Sequence, residues 1–92
     1  MYHIVYFLES IKFPNRHYIG YTTNLKKRIK DHNKGTTKST EKFRPWKLIY
    51  AELYLEEKDA RGREKFLKSG SGWKFLKKQL KYHLKKHYAN IT

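Results

Sequence analysis

Arg28 and His32 stand four residues apart in a segment where Leu25, Arg28, Ile29 and His32 occur at i, i+3, i+4 and i+7. In a helix those four share one face, so a guanidinium and an imidazole lie on the stripe that Leu25 and Ile29 have to bury. The plain explanation lays the Arg28 stem over Leu25 with its head in water, and makes His32 a helix-end histidine. The alternative is that both serve chemistry where the stripe ends. Glu64 raises the same question, because it falls between Ala60 and Leu67 on the inward side of a later helical pattern. A carboxylate buried there has to be paired, hydrogen-bonded or bound to a metal. The plain explanation is an ion pair with Lys68 one turn on, worth about 0.2–0.5 kcal/mol at a helix surface. A single carboxylate makes a poor cage for calcium. It suits magnesium, which keeps several waters and takes one or two protein carboxylates together with phosphate oxygens. Tyr6 and Tyr18 complete the set. They belong to two β-type runs close enough to pair, which would bring their hydroxyls together near the start of the first helix; tyrosine is also an ordinary strand residue.

The elements that must position these residues are legible in outline. Tyr2 to Glu9 is apolar on both alternating faces and reads as a central strand covered on two sides. Ser10 to Arg16 is a connecting loop, and His17 to Thr22 a second strand antiparallel to the first. Asn24 is the best N-cap for a helix from Leu25 to Lys34, with Gly35 at its left-handed C-terminal cap. Thr36 to Trp46 is polar, basic and without periodicity, a long loop. Lys47 to Leu55 reads as a third strand and Glu57 to Lys68 as a second helix. Gly62 weakens that helix by about 1 kcal/mol unless close packing against the sheet compensates. Ser69 to Gly72 reads as a break before a third helix from Trp73 to about Tyr88. The order ββαβαα, a three-stranded antiparallel sheet flanked by helices, is an α+β pattern within a single domain spanning residues 1–92.

Composition narrows the partners. Lys and Arg number 22 against 8 Asp and Glu, a formal charge of +14 that invites a polyanion. Aromatic residues make up 16% of the chain, enough apolar material to fold. The absence of cysteine removes disulfides and thiolate metal sites. No apolar run suggests a membrane span and no signal-peptide pattern opens the chain, so a cytoplasmic protein is expected. Lys26, Lys27 and Lys30, the basic loop ending at Arg44, and a lysine face of the last helix (Lys74, Lys77, Lys78, Lys81, Lys85) would suit a phosphate backbone. Two rivals are a soluble basic surface and an amphipathic helix lying on an anionic membrane.

In combination these features are specific. Ile4-Val5-Tyr6, then Tyr18-Ile19-Gly20 running on to Arg28, His32, Arg44-Pro45-Trp46 and Ala60-Arg61-Gly62-Arg63-Glu64, resemble the GIY-YIG nuclease family over nearly the whole chain. The resemblance is to its small standalone bacterial members, similar to the catalytic domain of the excision-repair nuclease subunit. Three departures stand out: the first motif lacks its glycine, Tyr21 follows Gly20 where some relatives carry lysine, and the asparagine that some members carry after the glutamate helix has no match, Asn90 being too far along the chain to take that role. The resemblance implies a DNA endonuclease using one divalent metal, Mg2+ or Mn2+, and no small-molecule cofactor. It makes Glu64 the metal ligand and Arg28 the stabiliser of phosphate charge. Tyr6 and Tyr18 become the motif tyrosines, and His32 the histidine tied to general-base chemistry. With no separate recognition module in view, substrate choice falls to DNA shape or to a protein partner. A fold of this kind that binds nucleic acid without cutting it is the alternative.

Overall fold

The computed structural model describes residues 1–87. Three antiparallel strands, β1 (His3–Ser10), β2 (His17–Thr22) and β3 (Trp46–Tyr54), form a sheet in the order β2-β1-β3. The strand whose two faces are both apolar in sequence is therefore the central one. Val5 and Phe7 point to one side, into a core with Ala60, Leu67 and Leu76. Tyr6 and Leu8 point to the other, against Trp46, Leu25 and Ile29. The alternation that blurs a sequence pattern is what a strand covered on both sides requires.

Helix α1 (Leu25–Lys34) covers the Tyr6 face, and both of its ends form as the sequence predicts. The Asn24 side chain accepts from the Lys27 N–H at 3.2 Å. Gly35 closes the helix at φ 80°, in the left-handed region, with its N–H on the Asp31 and His32 carbonyls. Helix α2 (Glu57–Leu67) packs on the Val5 face through Ala60 and Leu67. The α+β arrangement is the expected one.

Three local expectations are corrected. The break after α2 is present but narrower than expected, confined to Lys68 and Ser69; α3 (Gly70–Gln79) begins at Gly70, with the Ser69 hydroxyl accepting from the Gly72 N–H at 3.1 Å. Close approach is what demands the glycine, since a Cβ on Gly72 would overlap the Phe66 carbonyl and Leu67 backbone at the end of α2. The single C-terminal helix is divided at Leu80, where the chain bends before α4 (Lys81–His87). Past the bend, Leu84 is buried and His83 Nε2 lies 3.1 Å from both oxygens of the fully buried Glu9. The Tyr88 end of that helix lies outside the described residues. Finally, the loop before β3 carries a 3-10 turn, Glu41–Phe43, and buries Thr40.

Gly62 has no compensating packing: it is exposed, and a Cβ there would meet nothing within 4 Å. Gly62→Ala is therefore expected to raise stability by about 0.5–1 kcal/mol, read as a higher midpoint in urea with an unchanged slope.

Candidate active site

Three of the five residues singled out by the sequence, Tyr6, Arg28 and His32, meet at the Tyr6 hydroxyl, and a fourth, Tyr18, packs against the histidine. Tyr6 and Gly20 are direct partners in the β1–β2 ladder, and a Cβ on Gly20 would overlap the Tyr6 ring and hydroxyl. Only glycine leaves that ring room to reach across β2. The hydroxyl then lies 2.8 Å from His32 Nε2, and Arg28 Nε donates to it at 3.3 Å. Both partners come from the same face of α1, as their four-residue spacing requires. Tyr18, two positions before Gly20 on β2, tilts its ring against His32, with centroids 4.9 Å apart. Tyr6 and His32 are buried almost completely, at 1% and 0% exposure.

Burial sets the electrostatics. It pushes the Tyr6 hydroxyl up to about 12; the Arg28 hydrogen bond pulls the other way, while Tyr18 and Glu64 push it further up. His32 is driven below its ordinary value, first by burial and then by the Arg28 charge, so at neutral pH it is the uncharged imidazole. The Tyr6 hydrogen bond keeps Arg28 firmly protonated.

Glu64 is placed differently. It lies on α2, within electrostatic reach of Tyr6, but its carboxylate pairs with Lys68 Nζ at 3.0 Å and Arg61 at 3.5 Å. The Lys68 pair foreseen from the spacing is present. The carboxylate is 15% exposed; Lys68 is more than half exposed, and Arg61, also more than half exposed, stacks its guanidinium 3.7 Å over the Tyr21 ring and pairs with Glu57 as well. Among the described residues no group of three His, Cys, Asp or Glu could hold a metal ion. A lone, accessible carboxylate fits Mg2+ or Mn2+ with water and phosphate completing the shell, and does not fit zinc or calcium. Arg63, beside it in sequence, is committed elsewhere: it forks onto Glu52 at 2.8 and 3.0 Å, and Tyr50 and Tyr54 donate to the same carboxylate.

The basic residues do not form one surface. Lys26 and Lys30 are exposed on α1, and Lys27 pairs with Asp31 at 3.0 Å. Lys74, Lys77, Lys78, Lys81 and Lys85 are exposed too, but the bend at Leu80 splits them between α3 and α4, and α3 packs against the Val5–Phe7 core. Arg44 donates through Nη1 to the Lys34 carbonyl at 2.8 Å, which ties the loop to the end of α1.

Sequence reasoning missed Thr40. Its side-chain oxygen lies 2.8 Å from His32 Nδ1, and it is fully buried. Its carbonyl accepts from the Trp46 indole N–H at 2.8 Å, so the loop is pinned where it meets the histidine. Only the local run of hydroxyls at Thr36, Thr37, Ser39 and Thr40 hinted at a polar role.

The fold is that of a nuclease-type domain. The family model of the GIY-YIG catalytic domain matches residues 2–79, and the chain belongs to the GIY-YIG family. It is similar to a UPF0213 protein of Staphylococcus haemolyticus, 38% identical over 76 residues that cover 82% of this chain and 90% of that one. A UPF0213 protein of Pediococcus acidilactici is 43% identical over 78 residues, covering 82% of this chain and 74% of the relative. For a UPF0213 protein of Clostridium perfringens the match is 44% over 52 residues, 55% of this chain and 56% of the relative, so it spans just over half of that protein. No solved structure matches the chain significantly. No helix among the described residues is long and apolar enough to cross a membrane.

A histidine held neutral by the fold makes a signed contribution to stability. Between the unfolded value near 6.5 and its lower folded value, the unfolded chain binds a proton that the native chain does not, so stability falls as pH falls. Melting temperatures of the parent and His32→Gln measured from pH 7.5 to 5 should converge toward acid, because only the parent carries that loss.

Proposed function

We propose that this chain is a divalent-metal-dependent endonuclease that hydrolyses DNA phosphodiester bonds with little sequence preference of its own. The observation that carries this reading is the Tyr6 hydroxyl, held between the neutral His32 Nε2 at 2.8 Å and the Arg28 Nε at 3.3 Å. Hydrolysis of a phosphodiester needs a water relieved of a proton and a cation where negative charge gathers. With a hydroxyl value of about 12, a free Tyr6 phenolate is scarce at neutral pH. Passing its proton to His32 while taking one from the attacking water removes the need for that state. Arg28, fixed against the same oxygen, supplies charge to the phosphate in flight. Tyr18 keeps the His32 ring from turning.

Glu64 is the residue that would hold the divalent ion, Mg2+ or Mn2+. Such an ion, when bound, neutralises the phosphate and steadies the leaving oxygen. DNA is the substrate that a formal charge of +14 favours, with the exposed lysines of α1 and, on a separate surface, those of α3 and α4 available to phosphates. Contacts of that kind position a duplex without reading its sequence, which leaves substrate choice to DNA shape or to a protein partner.

Two outcomes are expected. Supercoiled plasmid is nicked by the parent only with Mg2+ or Mn2+, and Glu64→Ala or Arg28→Ala lowers the rate by at least about 100-fold while plasmid binding persists. Binding without cleavage by the parent would leave a nucleic-acid-binding module instead. Replacing Lys74, Lys77 and Lys78 with alanine should weaken binding similarly on unrelated sequences. It should also reduce the slope of log K against log salt by about 1 for each phosphate that the variant no longer neutralises.

A further inference from the structure

We infer that Thr40 is a positioning residue that fixes the tautomer of His32, and so makes Nε2 the atom that receives the Tyr6 proton. The inference rests on the nuclease reading for its catalytic meaning but not for its geometry. Each proton in the buried chain can be followed from donor to acceptor. The Thr40 hydroxyl has one proton, and it donates to the Thr37 carbonyl at 3.2 Å. With that proton on Thr37, whose carbonyl also takes the Thr40 and Glu41 N–H groups, the hydroxyl accepts from His32 Nδ1 at 2.8 Å, and Nδ1 carries the imidazole proton. Nε2 is left with its lone pair, facing the Tyr6 hydroxyl at 2.8 Å. Tyr6 donates there, and its oxygen accepts from Arg28 Nε. Every group in the chain is satisfied in this sense.

The reversed sense fails at the tyrosine. Nε2–H and Arg28 Nε–H would both aim at one phenol oxygen, whose own proton would have no acceptor among the described side chains. Tyr6, His32 and Thr40 are 1%, 0% and 0% exposed, so before a substrate and its attacking water arrive these side chains alone set the orientation. The loop is held for this purpose by main-chain contacts as well. The Thr40 N–H donates to the Thr37 carbonyl at 3.1 Å, and its own carbonyl takes the Trp46 indole N–H. The step it supports is balanced. One proton leaves Tyr6 Oη for His32 Nε2 and one leaves water for Tyr6 Oη; the water oxygen bonds to phosphorus as the bond to the leaving oxygen breaks, that oxygen departs with the electron pair and takes a proton from solvent, and the Nδ1 proton stays on its bond to Thr40 throughout.

The test reads the tautomer directly. In protein labelled with 15N at histidine, without DNA or metal, His32 is expected to show its proton on Nδ1 at pH 7.5. Thr40→Ser should keep that state and nearly the parent kcat. Thr40→Val, close in shape but without the acceptor, should lose the Nδ1 preference and lower kcat about 100-fold with KM little changed. A parent protonated on Nε2 overturns the inference, as does a folded Thr40→Val that retains both the Nδ1 proton and the parent kcat. Should Thr40→Val fail to fold, the parent and Thr40→Ser spectra decide alone. A parent with Nδ1–H but no nuclease activity upholds the role of Thr40 and rejects only the catalytic reading.

Discussion

The structure depends on one buried hydrogen bond between a strand and a helix, from Tyr6 on β1 to His32 on α1. A phenol and an imidazole in a dry interior are tolerable only when each polar atom has a partner. That requirement reaches outward in both directions. Gly20 has to be a glycine so that the Tyr6 ring fits, and Arg28 has to lie one turn before His32 so that the phenol oxygen is shared. The loop before β3 has to bring Thr40 to the far side of the imidazole. Among the described residues no buried side-chain polar atom lacks a partner.

The other face of the sheet carries a polar network of a different kind. Arg63, Glu52, Tyr50 and Tyr54 satisfy one another beside Phe75, and the Glu9 carboxylate draws in His83 and His17. These networks fasten α2 and α4 to the sheet. Glu64 stands apart from both on α2, its oxygens met by the exposed cations of Arg61 and Lys68. Buried polar groups fix the scaffold and the tyrosine–histidine pair, while Glu64 is held by partly exposed ion pairs to Arg61 and Lys68.

What the sequence revealed follows the range over which each rule acts. Asn24, the stripe from Leu25 to His32 and Gly35 obey rules of one or two helical turns, and both caps and the shared face formed as expected. Thr40 acts through space, eight residues from His32 in a segment with no period, so nothing local marks it. The two glycines after Ser69 look like a breaker because glycine is a poor helix former; the tight approach of α3 to the end of α2 outweighs that propensity. The bend at Leu80 is likewise tertiary. A straight helix keeps the lysines on one face, and the bend instead accompanies the return of Leu84 and His83 to the sheet.

The proposed chemistry turns on a single oxygen atom, and Tyr6→Phe removes that atom while keeping the ring. Cleavage of plasmid DNA by this variant, beside its melting temperature and its DNA affinity, is the most direct measurement. The expected result is a folded protein that binds DNA as the parent does and cuts at least about 100-fold more slowly. A Tyr6→Phe protein that cuts at the parent rate would contradict it.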